Sequence, residues 1–151
     1  MDIRIDDLSG PEVKQLLTEH LEDMFSTSPP ECVFALDLEE LKKPNITFWT
    51  VWENSQLLGC GALKAHDDTH GEIKSMRTTS TARNKGVAST LLSHILEAAK
   101  QKGLSKISLE TGSHDFFAPA RKLYAKHDFI ECGPFADYKL DPHSVFMTRS
   151  L

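Results

Sequence analysis

An α/β fold, a mixed and mostly antiparallel sheet flanked by helices, is predicted by three observations on the chain. Residues 47–53 and 57–65 are rich in β-branched and aromatic side chains and are separated by Asn54, Ser55 and Gln56, the pattern of an antiparallel hairpin. Residues 71–78, a polar loop, a long amphipathic run from Gly86 and the apolar segment 106–111 then follow as strand, loop, helix and strand. That order requires a parallel pair joined by a right-handed crossover. A length of 151 residues suits one domain with its own core and is short for two.

Residues 2–8 open the chain as a short edge strand. Pro11 then starts a helix, where its missing N–H is no loss, with Val13, Leu16, Leu17, Leu21, Met24 and Phe25 on one face. The run from Ser26 to Pro30 ends it, and residues 37–43 can make another short helical turn before Pro44 and Asn45. Between the hairpin and the next strand lies His66-Asp67-Asp68-Thr69-His70. Two histidines four apart share a helix face but not a hairpin turn, and no third ligand is suggested, so a solvated turn without metal is expected. From Gly86, Val87, Leu91, Ile95 and Ala98 run beside Ala88, Leu92, Leu96 and Ala99 with helical period, and Lys100, Lys102 and Gly103 make a fitting end. Residues 106–111 are a strand, 115–127 a second helix carrying Leu123 and Tyr124, and 129–133 and 144–148 two last short strands.

Composition narrows the function. A formal net charge of -5 argues against a broad nucleic-acid surface, which needs clustered Lys and Arg. No apolar run approaches the roughly 20 residues of a membrane span, and the acidic start Met1-Asp2-Ile3-Arg4 is unlike a signal sequence, so a cytoplasmic protein is expected. Cys32, Cys60 and Cys132 are odd in number and far apart, which suggests reduced structural thiols. Cys60 has no base near it in sequence and no G-x-S-x-G elbow exists, so covalent catalysis has little support.

The most informative segment is the loop before the long helix, Arg83-Asn84-Lys85-Gly86-Val87-Ala88-Ser89. A helix start offers unpaired N–H groups and the positive end of the macrodipole, and Gly86 and Ala88 are too small to block an approaching anion. Ser89 or Thr90 can add a hydroxyl. The G-K-[ST] order of a P-loop is absent because Lys85 precedes Gly86, and the three glycines of a dinucleotide fingerprint are missing too. A phosphate-bearing ligand of another kind is implied.

The strand Glu72-Ile73-Lys74-Ser75-Met76-Arg77, the R-x-x-G-x-A turn, the helix, the strand end Leu109-Glu110-Thr111-Gly112 and the helix Ala120-Arg121-Lys122-Leu123-Tyr124 occur in the order of a known family. The chain resembles the Gcn5-related N-acetyltransferases (GNAT) from about Phe48 to Leu151, and within them a bacterial YsnE-like branch, which similarly carries Glu72 to Arg77 and Phe135-Ala136-Asp137-Tyr138. The resemblance implies the GNAT fold, whose parallel pair splays apart, and acetyl-CoA as co-substrate with no metal. It implies that the pyrophosphate lies on amides of Arg83, Asn84, Lys85, Gly86, Val87, Ala88 and Ser89, and that a bulged strand pairs its backbone at Met76, Arg77 and Thr78 with the pantetheine arm. One departure is Phe117, where the family often has an asparagine that contacts the coenzyme.

An alkyl amine has a pKa of about 10 and must lose a proton before it can attack a thioester. Glu72, at the start of the bulged strand, is the expected base, directly or through water, against the alternative of a strand glutamate paired with Lys74 or Arg77. Tyr124 matches the family's general-acid tyrosine and would hydrogen-bond to the departing thiolate. His20, Asp37, Glu110, His114, Asp137 and Tyr138 are candidates to border the acceptor cleft. The expected acceptor is a primary amine of a small molecule or an amino terminus; the alternative is an acyl-CoA-binding module without turnover. Pairing of C-terminal strands between subunits makes a homodimer plausible.

Overall fold

The computed structural model describes residues 1–30 and 38–151; Cys32 and the expected cleft residue Asp37 lie outside the described residues. The elements in chain order are β1 (Asp2–Ile5), α1 (Pro11–Thr27), α2 (Leu38–Leu41), β2 (Ile46–Glu53), β3 (Gln56–Ala65), β4 (His70–Thr78), α3 (Val87–Gln101), β5 (Lys106–Gly112), α4 (Ala118–Lys126), β6 (Ile130–Cys132) and β7 (Ser144–Ser150). They build a seven-stranded sheet in the order β1-β2-β3-β4-β5-β7-β6. Only the β4–β5 contact is parallel; the other neighbours are antiparallel.

Two element ends differ from the sequence expectation by three residues. β1 stops at Ile5 instead of running to residue 8, because the Asp6 carboxylate accepts the Leu8 amide at 2.7 Å and Leu8 turns to a φ of 65°. The segment expected as one helix from residue 115 starts with a 3-10 turn, Asp115–Phe117, and α4 begins only at Ala118. His114 Nδ1 accepts the Phe116 amide at 3.0 Å, and Pro119, which has no N–H to give, sits in the first turn of α4.

The sheet has a core on each face. On one, Leu91, Leu92, Ile95 and Ala99 of α3 pack on Ile73, Ile107 and Leu109, with Tyr124 and Phe129 closing the layer. On the other, Val13, Leu16 and Leu17 of α1 and Leu41 of α2 cover Phe48, Cys60 and Ala62. Each buried Val, Leu, Ile or Phe among them is worth roughly 1.5–3 kcal/mol, which holds α1, α2 and α3 to the sheet.

Two irregularities in β4 set up the site. Pairing with β3 passes from Ala62↔Lys74 to Cys60↔Arg77, so Ser75 and Met76 together oppose the single residue Gly61. This is the expected bulge, with Ser75 at a φ of 56°, and Met76 packs close over Gly61 opposite, where a Cβ would displace its Sδ. Pairing with β5 covers only His70↔Lys106 to Ile73↔Leu109. On its other edge β5 pairs with β7 over the whole of Lys106–Gly112, while β4 runs on to Thr78 with its β5-side edge unpaired among the described residues. The parallel pair therefore splays, as expected.

Candidate active site

A cavity of about 660 Å³ fills the split and reaches from the start of α3 to the acidic residues beyond the last parallel pair. Its size is that of a cofactor site. Met76, Arg77 and Thr78 line it along the free edge of β4, and Arg83, Asn84, Gly86, Val87, Ala88 and Ser89 line its loop end. Lys85 does not; its side chain borders a separate small hollow with Glu53 and Thr81.

At the loop end, Gly86 caps α3 in the left-handed region at a φ of 80°, and Asn84 approaches it at 63°. A Cβ on Gly86 would meet nothing within 4 Å, so the space above the cap is open. Among the described residues no side chain caps the helix, and no acidic residue stands in its first turn. The first backbone bond back to the cap is Thr90 N–H to Gly86 O at 3.0 Å, which leaves the amides of Val87, Ala88 and Ser89 with no helical acceptor. These groups fit a diphosphate.

The other end gathers ionisable side chains. Glu110 follows directly after Leu109, the last β5 residue paired with β4, and lines the cavity with Glu72, Lys74, Phe117 and Tyr124. Burial pushes the Glu110 carboxyl up to about 7, with repulsion from Glu72 and Asp141 behind it; the adjacent Ser144 hydroxyl, which completes no hydrogen bond of full geometry, and the Lys74 ammonium draw it back only in part. Tyr124 is 6% exposed, and its ring meets Phe129 edge-on at 5.8 Å. Burial, then the Glu110 charge, raise its pKa above the ordinary phenol value, so it stays protonated.

Glu72, at 2% exposure, has both carboxylate oxygens engaged. His66 Nε2 lies 2.8 Å from Oε1, while Tyr138 donates to Oε2 at 2.7 Å and Lys74 Nζ does so at 3.1 Å. Lys74 also donates to the Tyr138 hydroxyl at 2.9 Å. The turn expected to be merely solvated thus contributes a partly buried partner: His66 is 19% exposed, and His70 Nε2 lies 2.8 Å from Ser108 Oγ. Among the described residues no group of three or more His, Cys, Asp or Glu is placed to hold a metal ion.

The remaining candidates separate. His20 lines the cavity from α1, and its pKa is pushed down to about 4 by burial first and then by the Arg77 charge, against Asp23. Tyr138 stands one hydrogen bond behind Glu72, outside the cavity wall. His114 is used as the cap of the 3-10 turn, and Asp137 is exposed away from the cavity. Cys60 is buried, donates to Ser75 O at 3.3 Å and has its thiol pushed up to about 12 by desolvation, which makes it inert. Sequence reading missed His66 as a partner of Glu72 and missed the ion pair from Arg77 Nη1 to Asp23 of α1 at 2.7 Å, which ties the N-terminal helix to the site. Strand alternation does place Glu72 and Lys74 on one face, so that pair was open to detection.

Comparison with known proteins agrees with this geometry. Residues 13–129 match the acetyltransferase (GNAT) family. The chain is 56% identical to the uncharacterized N-acetyltransferase YsnE of Bacillus subtilis (strain 168) over 151 residues, all of both chains. It is 50% identical to the uncharacterized N-acetyltransferase YedL of Escherichia coli (strain K12), over 99% of this chain and 94% of that one. The crystal structure of an aminoglycoside 6'-N-acetyltransferase complexed with coenzyme A shares the fold with a TM-score of 0.72 at 17% identity, covering 99% of this chain and 97% of that one. With the match spanning most of its length and carried on a sheet split at β4 and β5, the chain belongs to the acetyltransferase (GNAT) family and is an acetyl-CoA-dependent acetyltransferase.

Proposed function

We propose that the chain moves the acetyl group of acetyl-CoA directly onto a primary amine, of a small molecule or of an amino terminus, at the split between β4 and β5. The observation that carries the reading is the continuity of one cavity from the uncapped amides of α3, along the free β4 edge, to Glu110 and Tyr124. The amides of Gly86 to Ser89 hold the diphosphate, and the backbone of Met76 to Thr78 pairs with the pantetheine arm as an added strand would. When bound, acetyl-CoA supplies an activated thioester.

The rest is done by side chains of this protein. Glu72 was the expected base, but its oxygens already serve His66, Lys74 and Tyr138. Glu110 is the better first acceptor of the ammonium proton, with Glu72 and Lys74 setting its local field. An ordinary glutamate is too weak a base for an amine of pKa about 10, and lifting Glu110 from 4.5 to about 7 recovers ~3 kcal/mol of that gap. Tyr124 donates a hydrogen bond to the departing sulfur; with its pKa raised it stabilises the thiolate as a donor without giving up its proton in the rate-limiting event.

Release of free thiol from acetyl-CoA across a panel of amines tests the reading. Amine-dependent release is expected; tight coenzyme binding with no release for any amine or amino-terminal peptide would overturn it.

A further inference from the structure

Ser89, the third residue of α3, lines the loop end of the cavity, and its Oγ lies 2.8 Å from Nε2 of His127. His127 ends α4, far from the loop in sequence, and its backbone carbonyl is held by Arg149 Nη1 of β7 at 2.8 Å. The histidine is thus fixed in place from behind and presents one ring nitrogen to one hydroxyl of the phosphate loop. A serine hydroxyl has a single proton. If Nε2 is bare, that proton points at the histidine and the oxygen lone pairs face the site of the diphosphate, which an anion disfavours. If Nε2 carries hydrogen, as it always does in the imidazolium, it donates to Oγ, and the serine proton is free to turn toward a phosphate oxygen.

We propose that His127 is a positioning residue of the coenzyme site: it takes up a proton as the diphosphate binds, and through Nε2–H it aims the Ser89 hydroxyl at the anion. The charges that face His127 agree with this direction. Burial first and then the Arg149 guanidinium of β7 lower the pKa of His127 in the free protein, with Asp128 opposing. Lys126, on its own helix, adds positive charge at the cavity wall, and Ser89 of α3 is uncharged. A diphosphate against Ser89 reverses the local field and favours the imidazolium. The inference rests on the coenzyme site described above.

Calorimetry with dephospho-coenzyme A between pH 6 and 8 tests it, because this probe lacks the terminal phosphate monoester, which itself titrates at about pH 6. The bound state holds the extra proton, so affinity falls as pH rises. For the wild-type protein we expect Kd to increase about threefold or more over this range, below the ceiling of tenfold per unit that one proton sets. The heat should depend on the ionisation enthalpy of the buffer. His127→Gln keeps an N–H donor without a titrating group, so its Kd is expected to be flat with pH, and His127→Ala should bind more weakly and also flatly. The same proton uptake should appear by NMR as an upward shift of the His127 titration in the wild-type protein on adding the probe. A pH-flat wild type, or a His127→Gln variant with the wild-type pH dependence, overturns the role of His127. No heat from the wild-type protein at any pH overturns the coenzyme site itself.

Discussion

Glu110 and His20 show how two titrating side chains on one cavity pull stability in opposite directions. The folded state raises Glu110 from 4.5 to about 7, so it binds a proton that the unfolded chain releases, and stability falls as pH rises through that window. His20 is lowered from 6.5 to about 4, so its folded form binds fewer protons and stability rises with pH between those values. Between 4.5 and 6.5 the two oppose each other in the wild-type protein. Glu110→Gln removes one side, and its stability should rise with pH over that interval more steeply than wild type, as measured by urea unfolding. The same variant should lose roughly a hundredfold in kcat/KM and the rise of kcat/KM through an apparent pKa near 7; a retained pH profile would show that another group takes the proton. Tyr124→Phe removes only a hydroxyl with no hydrogen-bond partner among the described residues, so the fold should survive. A drop in kcat of about tenfold to a hundredfold with coenzyme Kd unchanged is expected, and full activity would remove Tyr124 from the site.

At the scale of elements, the start of α3 was readable for a local reason, whereas the bulge in β4 was expected only from the family resemblance. A glycine followed by small residues and a 3.6-residue apolar pattern describes a helix entrance through residues next to one another, and the structure places Gly86 at the cap with a φ of 80°. Gly86→Glu acts there twice: a side chain strains the left-handed cap, and its carboxylate occupies the positive helix end where the proposed function seats the diphosphate. Loss of coenzyme binding by calorimetry is expected, with α3 otherwise folded by circular dichroism. The first turn of the segment after β5 was less readable, because its 3-10 form depends on the His114 ring accepting the Phe116 amide as much as on propensity. Lys85 shows the same limit, since its neighbours in sequence line the cavity while its own side chain leaves it for the hollow beside Glu53.

Across the whole molecule, the sheet holds a core on each face, and the cavity passes through the gap where β4 and β5 part. α3 serves both roles, packing its buried stripe on the sheet and aiming its first turn at the cavity. Ile95, fully buried near Gly61 and the bulge, links the two. Ile95→Ala should cost about 3 kcal/mol, read as a lower urea midpoint. The order of helices and strands, the parallel crossover and the small-residue entrance to α3 follow from the chain read alone, because each is set by residues close in sequence or by the right-handed rule for connections. The pKa of Glu110, the capture of Glu72 by His66 and Tyr138, and the contact of His127 with Ser89 were decided only by the tertiary structure. Burial and electric field sum over groups brought together from β4, β5, β7, α4 and the loops between them, and no stretch of consecutive residues carries that sum.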